Sequence, residues 1–187
     1  MRNPVMAALL LFSILLLGGC GPLTQYSLSE QEINQYLQQH NDYQKTLGVQ
    51  GVMDAKITLT HLSSQIGRTE PGKVTLSSDA NVDLHSLLGS QQAALKLTLK
   101  AQPVFDKQNG AIYLKEMELV DYSVQPQALQ TVLQTLIPYL RSSLTGYFDQ
   151  KPAYVLSPEH SSKEALARKL AKGIDVKPGQ LVIMLTD

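Results

Sequence analysis

One cysteine in 187 residues removes several chemistries at once. Cys20 has no partner for an intrachain disulfide or a redox pair, and cysteine-based zinc sites are excluded. Stability must therefore come from packing. Tryptophan is absent and phenylalanine occurs three times, so the core has to be built mainly from aliphatic side chains. Charge of one sign is missing as well: 16 Lys and Arg balance 16 Asp and Glu, without long runs of either. Nucleic-acid binding rests on clustered cations that neutralise phosphates, so no nucleic-acid partner is expected.

Catalytic signatures are equally scarce. The chain has no HExxH, no GxSxG, no Walker loop and no Gly-rich dinucleotide turn. The four histidines, at 40, 61, 85 and 160, lack metal-type spacing. The expectation is a protein that is not an enzyme and carries no metal or cofactor. His40 reads as a half-exposed residue at a helix end. His61 shares the apolar parity of its strand, so it is either an inward, hydrogen-bonded histidine or the first residue of the following loop. Asp54, Asp79 and Asp83 alternate with apolar residues and read as the solvated face of a sheet rather than an acid/base pair. Arg168, Lys169 and Lys172 read as the complement of a helix C-terminus, with contact to anionic headgroups as the rival.

The only long apolar run lies at the start, from Val5 to Leu17. Spanning a bilayer takes roughly 20 apolar residues, so this thirteen-residue run with Arg2 before it reads instead as an export signal. It ends in Leu17-Gly18-Gly19-Cys20, an aliphatic residue, two small residues and a cysteine, which is the shape of a bacterial lipobox. Residues 1–19 are then a lipoprotein signal peptide, Cys20 is the acylated residue, 20–28 form the anchor and a polar tether, and 29–187 form a single domain.

That domain switches periodicity twice. Ser29-x-x-Glu32 is a capping box opening a helix with Ile33, Tyr36 and Leu37 on one stripe. From Met53 the period becomes 2. Met53, Ala55, Ile57 and Leu59 share one face; Val74, Leu76, Ala80, Val82 and Leu84 share the next; Ala93, Leu95, Leu97, Leu99 and Ala101 share a third. Asn109-Gly110 is a strong hairpin signal, which makes the sheet antiparallel. Ile112 and Leu114 have one parity and Met117 and Leu119 the other, so a bulge is expected near Lys115-Glu116. Strands this long must twist and curl. A second, long helix is expected from Gln125-Pro126, carrying Leu129, Val132, Leu133, Leu136, Ile137, Leu140, Leu144, Tyr147 and Phe148 at three- and four-residue steps, with a kink at Pro138. Ser161-x-x-Glu164 reads as a second capping box, Gly173 as its helix's C-cap, and Leu181 to Leu185 as a final strand.

The fold class is α+β: a long, curved antiparallel sheet matched to a long helix in the C-terminal half. A sheet wrapped around such a helix makes a tube, and an aliphatic tube can hold an acyl chain. Its expected lining is Leu129, Val132, Leu133, Leu136, Ile137, Leu140 and Leu144 from the helix, with Ile57, Leu59, Leu95, Leu97 and Leu99 from the strands.

Several stretches carry a resemblance: Leu23-Thr24-Gln25-Tyr26, Glu30-Gln31-Glu32-Ile33-Asn34, Ser64-Gln65-Ile66-Gly67-Arg68, Pro103-Val104-Phe105-Asp106-Lys107, Leu114-Lys115-Glu116-Met117 and Pro152-Ala153-Tyr154-Val155-Leu156. In these the chain resembles the YceB-like lipoproteins of Gram-negative bacteria. That family is similar to the super-roll of the bactericidal permeability-increasing protein, whose better-known members bind lipids. The resemblance implies acylation at Cys20 and supplies no catalytic residue. With Gly21 after the cysteine, it implies an outer-membrane anchor facing the periplasm. The expected function is an anchored periplasmic module that binds or transfers a lipid, a fatty acid or another apolar ligand. The alternative is an interaction lipoprotein that positions an envelope enzyme or assembly partner.

Overall fold

The computed structural model describes residues 24–49, 52–87 and 89–186. The signal segment and Cys20 lie outside the described residues.

Strand β1 (Gln25–Ser29) opens the fold and leads directly into helix α1 (Glu30–Gln39). The capping box forms as the sequence predicts: the Ser29 amide donates to Glu32 Oε2 at 2.8 Å and the Glu32 amide donates to Ser29 Oγ at 3.2 Å. Residues 25–28, read from sequence as the end of the tether, are instead paired backbone. β1 lies antiparallel to the last strand, with Gln25 opposite Met184, and Leu28 is fully buried.

The main sheet has six antiparallel strands, each hydrogen-bonded to its neighbour in sequence. They are β2 (Gln44–Val49), β3 (Met53–Ile66), β4 (Val74–Ser86), β5 (Gly89–Asp106), β6 (Ala111–Gln125) and β7 (Tyr154–Val155). β5 has 18 residues and would run about 59 Å if fully extended. The alternation in β4 and β5 follows the sequence, with the apolar set buried. In β3 a bulge between Leu59 and His61 reverses the parity. The buried positions pass from Ala55, Ile57 and Leu59 to Leu62, Ser64 and Ile66, so His61 is in the strand yet exposed. Neither reading of His61 anticipates this, because the extra residue turns the side chain to the wet face.

β6 carries the expected irregularity near Glu116, which adopts a positive φ of 52°. A second register shift follows: Thr98 faces Asp121 and Leu99 faces Leu119, leaving Val120 without an opposite residue. Two extra residues in one strand bend it sharply.

The long helix of the sequence reading is broken into three pieces: a 3-10 turn (Gln127–Leu129), a short helix α2 (Gln130–Gln134) and helix α3 (Ile137–Gln150). The break has a local cause. Pro138 has no N–H to return to the Gln134 carbonyl, so the ladder cannot run through. The Leu136 amide closes a tighter bond to Leu133 O at 2.9 Å, and Thr135 Oγ1 donates to Val132 O at 2.7 Å. Pro138 therefore sits in the first turn of α3, where its missing donor costs nothing. The apolar stripe survives the break, and Leu133, Leu136, Leu140, Leu144 and Phe148 are all buried.

Helix α3 touches both β6 and β2. In a flat sheet those strands would stand about 19 Å apart at the usual spacing, and a helix is about 10–12 Å across. The sheet must curve for one helix to reach both.

Beyond it, helix α4 (Ser162–Leu170) and strands β8 (Gly173–Lys177) and β9 (Gln180–Met184) complete a second, three-stranded sheet in the order β1-β9-β8. Gly173 opens β8 instead of capping α4, whose C-cap is Ala171. Ser161 accepts from the Glu164 amide at 3.1 Å, but the Glu164 carboxylate does not reach back. It turns inward, 1% exposed, with Oε2 2.9 Å from His160 Nδ1. Burial and its hydrogen bond to Glu164 push the Tyr154 hydroxyl well above the usual phenol range.

Leu144 is fully buried on the inner face of α3. Leu144→Ala is expected to cost about 2–5 kcal/mol, read from the urea midpoint, whereas Leu87→Ala, at an 81% exposed tip, should leave the midpoint unchanged.

Candidate functional site

Helix α3 divides its faces by position. Leu140, Leu144 and Phe148 face the sheet, Ser143 and Tyr147 face the β2 side, and Ile137, Arg141 and Thr145 face β6. The helix is thereby bordered by two seams, and they are closed very differently.

The β2 seam is clasped. Tyr43 Oη donates to Ser143 Oγ at 2.9 Å, Tyr147 Oη donates to Asp42 Oδ1 at 2.6 Å, and Lys151 Nζ donates to Asp42 Oδ2 at 2.6 Å. The Tyr43 and Tyr147 rings meet edge to face at 5.2 Å. The hydrogen bonds from Lys151 and Tyr147 hold the Asp42 carboxyl below its ordinary range. Burial, then the bond to Asp42, pushes the Tyr147 hydroxyl up to about 12, so it stays a donor across the physiological range. A hollow of about 660 Å³ outside this clasp is bordered by polar residues including Gln44, Lys45, Ser142 and Gln150.

The β6 seam is pinned at one end only. Lys115 Nζ sits 3.0 Å from Asp149 Oδ1 and donates to the Asp149 carbonyl at 2.9 Å. Past that pin a groove of about 680 Å³ opens between β6 and α3. Met117, Leu119, Val120, Tyr122, Ile137 and Pro138 give it an apolar wall, and Glu116, Arg141, Ser142 and Thr145 border it with polar groups. The stretch of β6 that holds the two irregularities, Glu116 to Val120, borders this groove. Lys73 Nζ lies 3.9 Å from Glu116 Oε2. Arg141 has no hydrogen bond or ion pair among the described residues.

Of the side chains expected to line a ligand tube, Leu129, Leu133, Leu136, Leu140 and Leu144 join Ile57, Leu59, Leu95, Leu97 and Leu99 in one buried cluster. Val132 and Ile137 lie partly buried at its margin, and Ile137 also borders the open groove. An enclosed apolar void of about 10 Å³ lies elsewhere, among Ile33, Leu37, Leu76, Ile112, Leu114 and Leu181. That is the space of a single water at most. Sequence reasoning named the helix stripe but missed Arg141. Its only signal was the i, i+4, i+8 spacing of Ile137, Arg141 and Thr145, which means nothing until β6 is known to lie opposite. Among the described residues no three His, Cys, Asp or Glu side chains converge as a metal site, and no helix is long and apolar enough to cross a membrane.

Residues 28–180 match the family described as "protein of unknown function (DUF1439)". The chain belongs to that family. Over all 187 residues it is 60% identical to the uncharacterized lipoprotein YceB of Escherichia coli strain K12, with both chains covered completely. The uncharacterized lipoproteins YceB of Shigella flexneri and of Salmonella typhimurium strain LT2 match over the same length at 60% and 59%. The resemblance carried by the sequence motifs thus extends along the entire DUF1439 chain. A crystal structure of lipopolysaccharide binding protein aligns with a TM-score of 0.34 and 12% identity, covering 89% of this chain and 50% of that one. The DUF1439 chain spans half the length of that protein, and the likeness is too weak to establish a shared fold.

The clasp has a defined pH dependence. Because the folded Asp42 carboxyl titrates below its unfolded value, its contribution is complete above the ordinary Asp pKa and is lost as pH falls through the lowered one. Asp42 is largely exposed, so Asp42→Asn should cost only about 0.5 kcal/mol at neutral pH. The gap between the urea midpoints of the parent chain and Asp42→Asn should close as the pH falls below the ordinary Asp range.

Proposed function

We propose that the mature chain is a lipid-anchored protein of the periplasmic face of the outer membrane that holds an apolar or amphiphilic molecule along the β6 seam of α3. In this reading it is a binding module and catalyses no reaction. The curled sheet and the broken helix together act as a super-roll, with the helix as its removable inner wall. The observation that carries the reading is the groove itself. It falls within the range of about 300–1,000 Å³ usual for ligand sites, its wall is apolar, and it lies along the side of the helix that has no polar clasp. The aliphatic cluster beneath, including Leu133, Leu140, Leu95 and Leu97, would accept a chain that slid in from the seam.

Cys20 supplies the anchor. A single acyl chain gives only marginal membrane binding, so attachment through this residue needs more than one. Residues 20–23 can span at most about 14 Å, which would keep β1 close to the membrane.

A second reading, an interaction lipoprotein, is favoured by one observation. Val49, Val52, Met53 and Leu87 are all exposed, at the adjoining ends of β2, β3 and β4. These tips lie at the Met53 end of β3, whereas the anchor side meets the opposite end, where the Ile66 amide donates to Glu30 Oε2 at 2.9 Å. A partner would meet them on the side away from the anchor.

The binding reading is tested with the mature Cys20→Ser chain, recovered from cells and examined by native mass spectrometry. It is expected to carry a lipid-sized adduct, and Leu119→Asp with Ile137→Asp should weaken fatty-acid binding about ten-fold or more by placing charge on the apolar wall. A chain that is always empty and has no affinity for fatty acids or phospholipids overturns it. For the second reading, a photo-crosslinker at Leu87 should capture one defined envelope protein in cells. Background capture alone counts against it.

A further inference from the structure

The groove has a polar rim whose charges are unevenly satisfied. Lys115 is held by Asp149, and Lys73 lies beside Glu116. Arg141, one turn beyond Ile137 on the same face of α3, is exposed and engages nothing among the described residues. Ser142 and Thr145 place hydroxyl groups on the same rim. A planar guanidinium with all its donors free, beside two hydroxyls and above an apolar trough, is a receptor for an anion that carries an apolar tail.

We infer that the ligand of this groove is a single-chain fatty acid whose carboxylate is gripped by Arg141 while its chain lies against Met117, Leu119, Val120 and Ile137. This rests on the reading of the groove as a ligand site and names what that site selects. Three features choose the occupant. The trough is short, about 12 Å along α3 from Ile137 to Thr145, which suits one chain lying down rather than the two chains of a phospholipid. A carboxylate carries one negative charge and matches Arg141, the cation that lines the groove among the described residues. A phosphate monoester carries nearly two and would call on a second cation, but the nearby Lys115 and Lys73 already lie beside Asp149 and Glu116, and Glu116 would repel the excess charge.

The test is isothermal titration calorimetry on the mature Cys20→Ser chain, which retains every described residue, with laurate, dodecanol and dodecyl phosphate below their aggregation limits. Laurate is expected to bind about ten-fold or more tightly than dodecanol, the effect of one charge-assisted pair. Arg141→Gln should erase that difference without moving dodecanol, and Arg141→Lys should restore part of it, since the charge returns without the fork. The preference should shrink as salt is raised, because the pair is solvent-exposed. Equal binding of laurate and dodecanol, both lost in Ile137→Asp, would overturn the carboxylate assignment and leave the apolar site standing. Tighter binding of dodecyl phosphate, or a laurate preference unchanged in Arg141→Gln, overturns it equally. If none of the three binds, both the inference and the ligand reading fall.

Discussion

The seating of one helix stripe on the inner face of the sheet is the constraint on which the rest depends. Leu140, Leu144 and Phe148 are at most 2% exposed, and they are buried by strands that come from opposite sides of a curved surface. Burying side chains of this size contributes about 1.5–3 kcal/mol each, and the stripe fixes where α3 lies and how far the sheet must bend to meet it. With no disulfide and no tryptophan, cohesion has to come from aliphatic contacts of this kind. The bulges in β3 and β6 shift which parity of each strand faces inward.

Both seams of α3 inherit their character from that seating. On the β2 side the chain approaches with Asp42 and Tyr43, which meet Ser143, Tyr147 and Lys151 and close the edge with polar bonds. On the β6 side the strand packs closely on the helix, yet among the described residues only Lys115 makes a polar bond across that seam.

Much of the architecture was legible in the residues. The Ser29–Glu32 box, the alternation of β4 and β5, the Asn109-Gly110 hairpin and the parity switch near Glu116 are local patterns whose physics acts over a few residues, and each appears in the structure. What was not legible depended on distant partners. The bulge that turns His61 outward is set by its register with β4, and the strand at Gln25–Ser29 exists only because β9 lies beside it. Pro138 was read as a kink within one helix, whereas a new helix starts there; which of the two occurs depends on how the Thr135 hydroxyl and the Leu136 amide bond the Val132 and Leu133 carbonyls. The site was the least legible part: the helix stripe named from sequence is mostly core, and Arg141 acquires a role only when β6 is placed opposite it.

The pairing of β1 with β9 has a consequence for biogenesis. β1 is the first described element of the chain, while its partner strand β9 is the last. The small sheet can close only when nearly the whole chain has been made, a contact of very long sequence separation that forms late and slowly. Until then Leu28 and the free edge of β1 stand exposed, and an unpaired edge invites wrong partners. A chain cut short before Gln180 would keep its large sheet yet leave β1 without its partner, so the first strand is completed only by the last.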